Sequence, residues 1–321
     1  MALLGIDLGG TKLALALLTE EGTVLKKKSA LVKETRGGER VGQLIKDHIA
    51  EMLAYSGNTG GKINSIGISV PGISHSTRGT VWAPNIPGWE DYPLLAEVSE
   101  ITGNIPVTID SDRACCILGE VWKGNACGCR DAIFLAIGTG IGAGIIVNGE
   151  VLRGSHDIAG AIGWMALTRP FNPLYAGYGC FEYNASGDGI GRIAREYLES
   201  ESSYNGRLKK KPVEKISSHD VFDAYTKGDT LADAVISQCI GFWGMAAANL
   251  VSLFNPEKII FGGGIFGPAI PLIPAIKEEA AKWAQPVSIK QVKFEKSGLK
   301  GDAGVIGAGY LALKKTRVTD L

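Results

Sequence analysis

Two stretches of this chain repeat one pattern, and that repetition limits what it can fold into. The first runs Leu3-Leu4-Gly5-Ile6-Asp7-Leu8-Gly9-Gly10-Thr11-Lys12-Leu13-Ala14-Leu15-Ala16-Leu17, and the second Phe134-Leu135-Ala136-Ile137-Gly138-Thr139-Gly140-Ile141-Gly142-Ala143-Gly144-Ile145-Ile146-Val147. Each is an apolar strand, a glycine-threonine turn and a second apolar strand. Both go on to a further turn, Glu21-Gly22 and Asn148-Gly149, the latter a strong hairpin signal. Glycine leaves no Cβ in the way of an approaching ligand, and the N–H groups of such a turn can converge on an anion, with Thr11 or Thr139 adding a hydroxyl. The separation of Thr11 and Thr139 is far too long for a solenoid period, so the pattern marks two related domains. Two phosphate-friendly turns point to one polyphosphate held by both.

Strands alternate with helices after each copy, the mark of an α/β fold. Helical spacing covers Val41–Tyr55, Leu94–Thr102, Arg113–Lys123, Gly187–Leu198, Asp220–Lys227, Thr230–Phe254, Leu272–Trp283 and Ala303–Lys314. Strands are expected over Ile63–Val70, Pro106–Ile109, Lys258–Phe261 and Ile289–Phe294, with a polar loop from Pro71 to Trp89 and a linker-like segment over Glu199–Pro212. The domains divide as 1–117 plus a C-terminal helix over about 304–321, and 118–303.

Composition removes several classes. Thirty-three basic and 33 acidic residues give no pull toward nucleic acid or membrane. The chain enters a strand at once, and no apolar run is read as approaching the ~20 residues of a spanning helix. Six cysteines in 321 residues make no disulfide framework, so a cytoplasmic protein is expected.

Asp7 lies two residues before its glycine turn, where a carboxylate would repel phosphate unless a cation intervened. Mg²⁺, held through water, is the natural bridge. The competing reading is a strand-end Asp bonded to backbone N–H groups. Asp112 follows the strand Val107-Thr108-Ile109 and opens a helix, at the strand end where α/β sheets place ligands. It can accept a proton from an attacking hydroxyl, yet Ser111 or Asp112 could equally cap the helix, and Asp110 is a second candidate base. Gly262-Gly263-Gly264 after a strand could carry the nucleoside end of a ligand, or be a bare turn. Gly138 to Ala143 matches G-x-G-x-x-A, but a strand rather than a helix follows, so an NAD-dependent dehydrogenase ranks last.

These residues resemble the ROK family of sugar kinases, within the actin/hexokinase/heat-shock ATPase superfamily, and the likeness covers almost the whole chain. Gly5 to Lys12 is similar to the family's first phosphate motif, Leu135 to Gly144 to its second, and Asn249 to Gly264 to its adenosine segment. The resemblance implies two actin-like (ribonuclease H-like) domains with a cleft between them, binding ATP, Mg²⁺ and a sugar. It implies ATP contacts from Asp7, Gly9, Gly10, Thr11, Lys12, Gly138, Thr139, Gly140, Gly142, Gly262, Gly263 and Gly264. It implies Asp112 as the base, with Gly72, Asn85, Ser111, Trp164 and Glu182 at the sugar. A homodimer is also implied, and with no helix-turn-helix segment ahead of residue 1 the family's repressor branch is not expected.

The departures concern the sugar and the zinc. Ser111 stands where the family carries Asn before the catalytic Asp, and Ala161-Ile162-Gly163-Trp164 stands for its Glu-x-Gly-His. In the family zinc loop, here Pro173 to Glu182, only Cys180 of the four ligands remains, so no zinc is expected. A relocated metal on Cys127, Cys129 and Cys180 is the alternative. The function expected is phosphorylation of a hexose or hexose derivative at the 6-hydroxyl. A catalytically weak or inactive sugar sensor of the same fold is the alternative.

Overall fold

The computed structural model describes residues 2–32, 37–58, 61–201 and 203–319, with side chains to 316. The chain forms two compact units, 1–128 with 151–159 and 298–321, and 129–150 with 160–297.

In the first unit the elements run β1 (Ala2–Leu8), β2 (Lys12–Thr19), β3 (Val24–Leu31), α1 (Gly38–Asn58), β4 (Ile63–Val70), β5 (Ile73–His75), β6 (Thr80–Trp82), α2 (Leu94–Thr102), β7 (Val107–Ser111) and α3 (Asp112–Lys123). The sheet order is β3-β2-β1-β4-β7, with β1 parallel to β4 and β4 parallel to β7. Strand β1 is buried almost throughout, as a strand covered on both faces must be. One face packs Leu4, Ile6, Leu13 and Leu15 against Ile45, Ile49 and Val98 from α1 and α2.

In the second unit β8 (Ala132–Ile137), β9 (Ile141–Val147) and β10 (Glu150–Val151) form the repeated meander. Asn148 and Gly149 take φ of 53° and 84°, the positive values their hairpin turn requires. Then follow α4 (Tyr175–Tyr178), α5 (Cys180–Ala185), α6 (Gly187–Ser200), α7 (Ser218–Tyr225), α8 (Thr230–Phe254), β11 (Lys258–Gly262), α9 (Ile273–Ala281), α10 (Ser288–Gln291) and β12 (Lys293–Lys296). The sheet order is β10-β9-β8-β11-β12, which repeats the antiparallel-then-parallel plan of the first unit.

The closing helix α11 (Ala303–Thr319) returns to the first unit; Asp320 and Leu321, included in the expected C-terminal helix, lie outside the described residues. It covers the other face of β1 and β4 at backbone range. A Cβ on Gly67 would overlap the Ala308 carbonyl, and one on Gly307 would overlap that of Cys115 on α3. Its first turn comes to the end of β1, where a Cβ on Gly304 would stand 2.6 Å from an Asp7 carboxylate oxygen.

Four expectations need correction. The run Ile289–Phe294 is not one strand: Gln285 Oε1 accepts the N–H groups of Val287 and Ser288, each at 2.8 Å, which starts the turn of α10, and β12 begins only at Lys293. The loop after Pro71 contains the β5–β6 hairpin, whose three-residue strands are too short to show a period. The linker-like 199–212 segment is folded into the second unit, with Leu208 buried and the Tyr204 hydroxyl donating to Asp229 at 2.6 Å. Helix α8 is long and apolar enough to cross a membrane by length and composition, contrary to the reading of no such run. Its length is matched to a core rather than a surface, since Val235, Ile236, Trp243, Ala247 and Val251 are buried in the second unit's hydrophobic cluster.

Candidate active site

Three carboxylates, Asp7, Asp110 and Asp112, gather at the carboxyl ends of β1 and β7, on either side of β4. Parallel pairing places Asp7 opposite Ser69, and Ser69 opposite Asp110, so the three residues form a row across the sheet. Such strand ends are where open α/β sheets bind ligands.

The three carboxyl groups differ in their partners. Asp110 is 6% exposed; its Oδ1 accepts the Ser111 N–H at 2.8 Å and its Oδ2 pairs with Arg153 Nη2. Both oxygens of Asp110 are thus engaged. Asp7 accepts the Ser69 hydroxyl at 2.6 Å. Burial pushes its pKa up to about 6 against the Ser69 hydrogen bond, with the Asp112 charge adding to the rise and Lys12 opposing it. A buried carboxylate with one hydroxyl partner is short of positive charge.

At the β7–α3 corner the cap is Ser111, whose Oγ accepts the Ala114 N–H at 3.3 Å. Asp112 is therefore the first helical residue and is freed from capping. Its Oδ1 takes the adjacent Arg113 N–H at 2.8 Å. Burial raises its pKa, with the Arg113 charge and N–H opposing. A carboxylate so raised is a stronger proton acceptor than an exposed one. Just beyond it, the buried Cys115 and the half-buried Cys116 have thiols whose pKa values burial pushes well up, hence protonated and poor nucleophiles.

Gly72 stands at φ 87° where a Cβ would overlap the Trp82 carbonyl, so this bend between β4 and β5 admits glycine alone. Arg113 Nη2 donates to the Gly72 carbonyl at 3.1 Å, tying the bend to the helix that begins at Asp112. Asn85 is exposed on the loop after β6, which closes where the Ala83 N–H bonds the Trp89 carbonyl at 2.7 Å.

The glycine turns of the two units are alike. Gly9 N–H donates to the Lys12 carbonyl and Gly138 N–H to the Gly140 carbonyl, each at 2.9 Å, and Thr11, Lys12 and Thr139 are exposed. A Cβ on Gly10, Gly138 or Gly264 would meet nothing within 4 Å, so the fold itself does not require glycine at these positions. Other glycines of the set are explained by packing. A Cβ on Gly140 would lie 2.8 Å from Glu182 Oε2, and one on Gly262 would overlap the Phe134 ring. Gly263 takes φ 87°. Gly142 is buried in β9, paired with Ala136.

Glu182, on α5, accepts the Ile141 N–H at 2.7 Å through Oε2 and so braces the second turn from beneath. Burial raises its pKa against that hydrogen bond. Trp164 is 59% exposed and is therefore not core filling, and Ala161 just precedes its short 3₁₀ turn. Cys180 and Cys129 are buried, while Cys127 is exposed. Among the described residues no group of three or more His, Cys, Asp or Glu is arranged to hold a metal ion. The strand β9 directly after Gly140 removes the dinucleotide fingerprint.

Ser69, Arg113, Arg153 and Gly304 were not among the expected site residues. Ser69 and Gly304 become legible only through strand register and helix approach, and Arg153 only once its loop is placed beside Asp110.

Two sheets of one plan, each with a glycine turn at its strand ends, define a protein of the actin-like ATPase fold. The ROK family model matches residues 3–315, and the chain belongs to that family. It is 34% identical over 310 residues to the glucokinase of Halalkalibacterium halodurans, covering 96% of this chain and 93% of that one. It is also 30% identical to the xylose repressor of Caldicellulosiruptor bescii, covering 95% of this chain and 76% of the relative. Among solved structures it is similar to a ROK family glucokinase from Streptomyces griseus in complex with glucose and AMPPNP. There the TM-score is 0.77 and the identity 27%, with 98% of this chain and 100% of that one covered.

Proposed function

We propose that the chain is an ATP-dependent kinase that phosphorylates a hexose or hexose derivative at the 6-hydroxyl, with Asp112 as general base. The glucokinase-like kinase class follows from the family and from relatives such as the Halalkalibacterium enzyme. The observation that carries the finer reading is the β7–α3 corner. There Ser111 caps the helix and Arg153 occupies Asp110, which leaves Asp112 with a raised pKa and its neighbour's N–H as partner.

In this reading Asp112 takes the proton of the hydroxyl as its oxygen bonds to the γ-phosphorus and the bond to the ADP oxygen breaks. The bend at Gly72, Asn85 and the Ser111 hydroxyl would orient the sugar, and the family resemblance adds Glu182 and Trp164 as sugar contacts. Gly10 and Thr11, and separately Gly138 and Thr139, would offer N–H and hydroxyl donors to phosphate oxygens. Gly264, with open space before it, would lie under the nucleoside. The fit of a divalent cation rests on Asp7, a carboxylate pushed up to about 6 chiefly by burial, with the Asp112 charge adding to the rise. When bound through water there, Mg²⁺ would offset phosphate charge. The kinase reading is favoured over a non-catalytic sensor because the base and both turns are intact.

With it go a homodimer in the cytoplasm and no zinc. No nucleic-acid or membrane partner is expected for a chain whose 33 basic and 33 acidic residues balance. The test is Asp112→Asn. Sugar-dependent ADP release should fall by about 10²–10⁴-fold while MgAMPPNP binding is kept. Near-normal turnover would reduce Asp112 to a helix residue.

A further inference from the structure

Residues 151–159 form a strap that packs in the first unit, although the chain on either side of it belongs to the second. The strap closes on itself through the Ala159 N–H and Arg153 carbonyl at 3.0 Å. Two side chains fasten it. Arg153 pairs with Asp110 at the end of β7. Asp157, a non-glycine residue at φ 58°, accepts the Ser76 N–H at 3.0 Å and the Ser76 hydroxyl at 3.1 Å in the β5–β6 turn. The same hairpin is tied to β7 and α3 independently. Ser74 Oγ donates to the Ile109 carbonyl and Arg113 Nη2 to that of Gly72, both at 3.1 Å. Strap, hairpin and β7–α3 corner thus form one closed polar frame, and Asp112 sits at the corner.

We infer that Arg153 is a positioning residue for phosphoryl transfer: through Asp110 it fixes the corner that carries Asp112, while Asp157 fastens the β5–β6 loop to the same frame. The inference rests on the kinase reading above. Asp110 is buried and two residues from the base, and its other oxygen holds the Ser111 N–H. Without Arg153 that carboxylate is left buried and uncompensated, which is strongly unfavourable. It then takes up a proton or turns toward water and releases the Ser111 N–H. Ser111 is the cap of α3, so the peptide leading into Asp112 moves with it. Misplacement of a reacting group by about 1 Å can lower a rate by ~10²-fold. Lysine keeps the charge but not the planar fork of the guanidinium.

The test compares Arg153→Gln, Arg153→Lys, Asp110→Asn and the Arg153→Gln/Asp110→Asn double variant, assayed well below their melting temperatures. Arg153→Gln should lower kcat/KM for the sugar by about 10- to 100-fold, mainly in kcat, with MgAMPPNP affinity kept within twofold. Arg153→Lys should recover part of the loss. The double variant should be no worse than Arg153→Gln, because it removes the stranded charge along with the pair. A kcat/KM within twofold of wild type for Arg153→Gln would overturn the inference, as would losses that multiply in the double variant. If wild-type protein shows no sugar-dependent ATP consumption, the kinase reading fails, and hydrogen exchange then decides the frame. Arg153→Gln should still speed amide exchange at Ser111–Ala114 and Ile73–Trp82, and unchanged exchange there would overturn it.

Discussion

Alanine at Gly10 and at Gly138 should move stability and function in opposite directions. Neither glycine has a left-handed φ, and a Cβ at either would meet no atom within 4 Å. In the free protein the substitution costs no packing, and it narrows the unfolded chain's freedom, which stabilises by about 0.4–1 kcal/mol. At ~2–4 °C per kcal/mol for units of this size, the melting temperature should hold or rise by about 1–4 °C. If a phosphate oxygen approaches the backbone at these turns, the added methyl group stands in its place. Overpacking of that kind costs about 1–3 kcal/mol, or roughly 5- to 150-fold in KM for ATP. Gly263→Ala is the contrast, since its φ of 87° and its approach to the Ile137 carbonyl make it a folding requirement, and it should melt lower. Thermal melts beside ATP titrations of initial rate read both quantities. A KM for ATP within twofold of wild type in both variants would refute phosphate approach, and a lower melting temperature for Gly10→Ala would refute the open space.

Burial raises the Asp112 pKa, and a protonated carboxyl cannot accept the hydroxyl proton. Activity should therefore fall with acid through a limb whose midpoint lies above the ordinary Asp value of about 3.9, and a limb at or below pH 4 in kcat/KM would contradict this. Purified protein should carry less than one zinc per chain and melt unchanged in chelator. One tightly held zinc by elemental analysis would point instead to Cys127, Cys129 and Cys180. On the family resemblance, Ser111, Ala161 and Trp164 would stand in for groups that each satisfy a sugar hydroxyl, at roughly 1–3 kcal/mol per unpaired group. Plain glucose should thus be weaker by on the order of 10²-fold than hexoses carrying an N-acyl group, a linked second sugar or an anhydro ring near C1 or C2. A clear preference for glucose would end that idea, as would a Trp164→His variant with the substrate ranking unaltered.

The repeated strand–turn–strand pattern carried most of the fold, because each copy is a local hairpin whose glycines and near-continuous apolar runs are written within a few residues. Helix α8 and strand β4 were legible to the residue for the same reason. What failed was short or set by distant partners. The three-residue strands of the β5–β6 hairpin show no period, and the α10 turn is set by Gln285 rather than by its own residues. The site divides in the same way. Asp7 and the glycine turns announce themselves by type and spacing. The sequence left Asp110 beside Asp112 as a second candidate base, and the observation that favours Asp112, the pairing of Asp110 with Arg153, involves a partner 43 positions along the chain. Which glycines the fold needs, and which it leaves open, depends on neighbours such as Glu182 and Phe134 that no local pattern reveals.

Sugar kinase activity is read out by incubating the wild-type protein with MgATP and a panel of free and C1- or C2-substituted hexoses, following ADP release and locating the new phosphate by NMR. ADP should form in step with sugar, with a phosphate ester on O6 of at least one hexose. ADP release independent of every sugar, or a product phosphorylated at the anomeric oxygen, would contradict this.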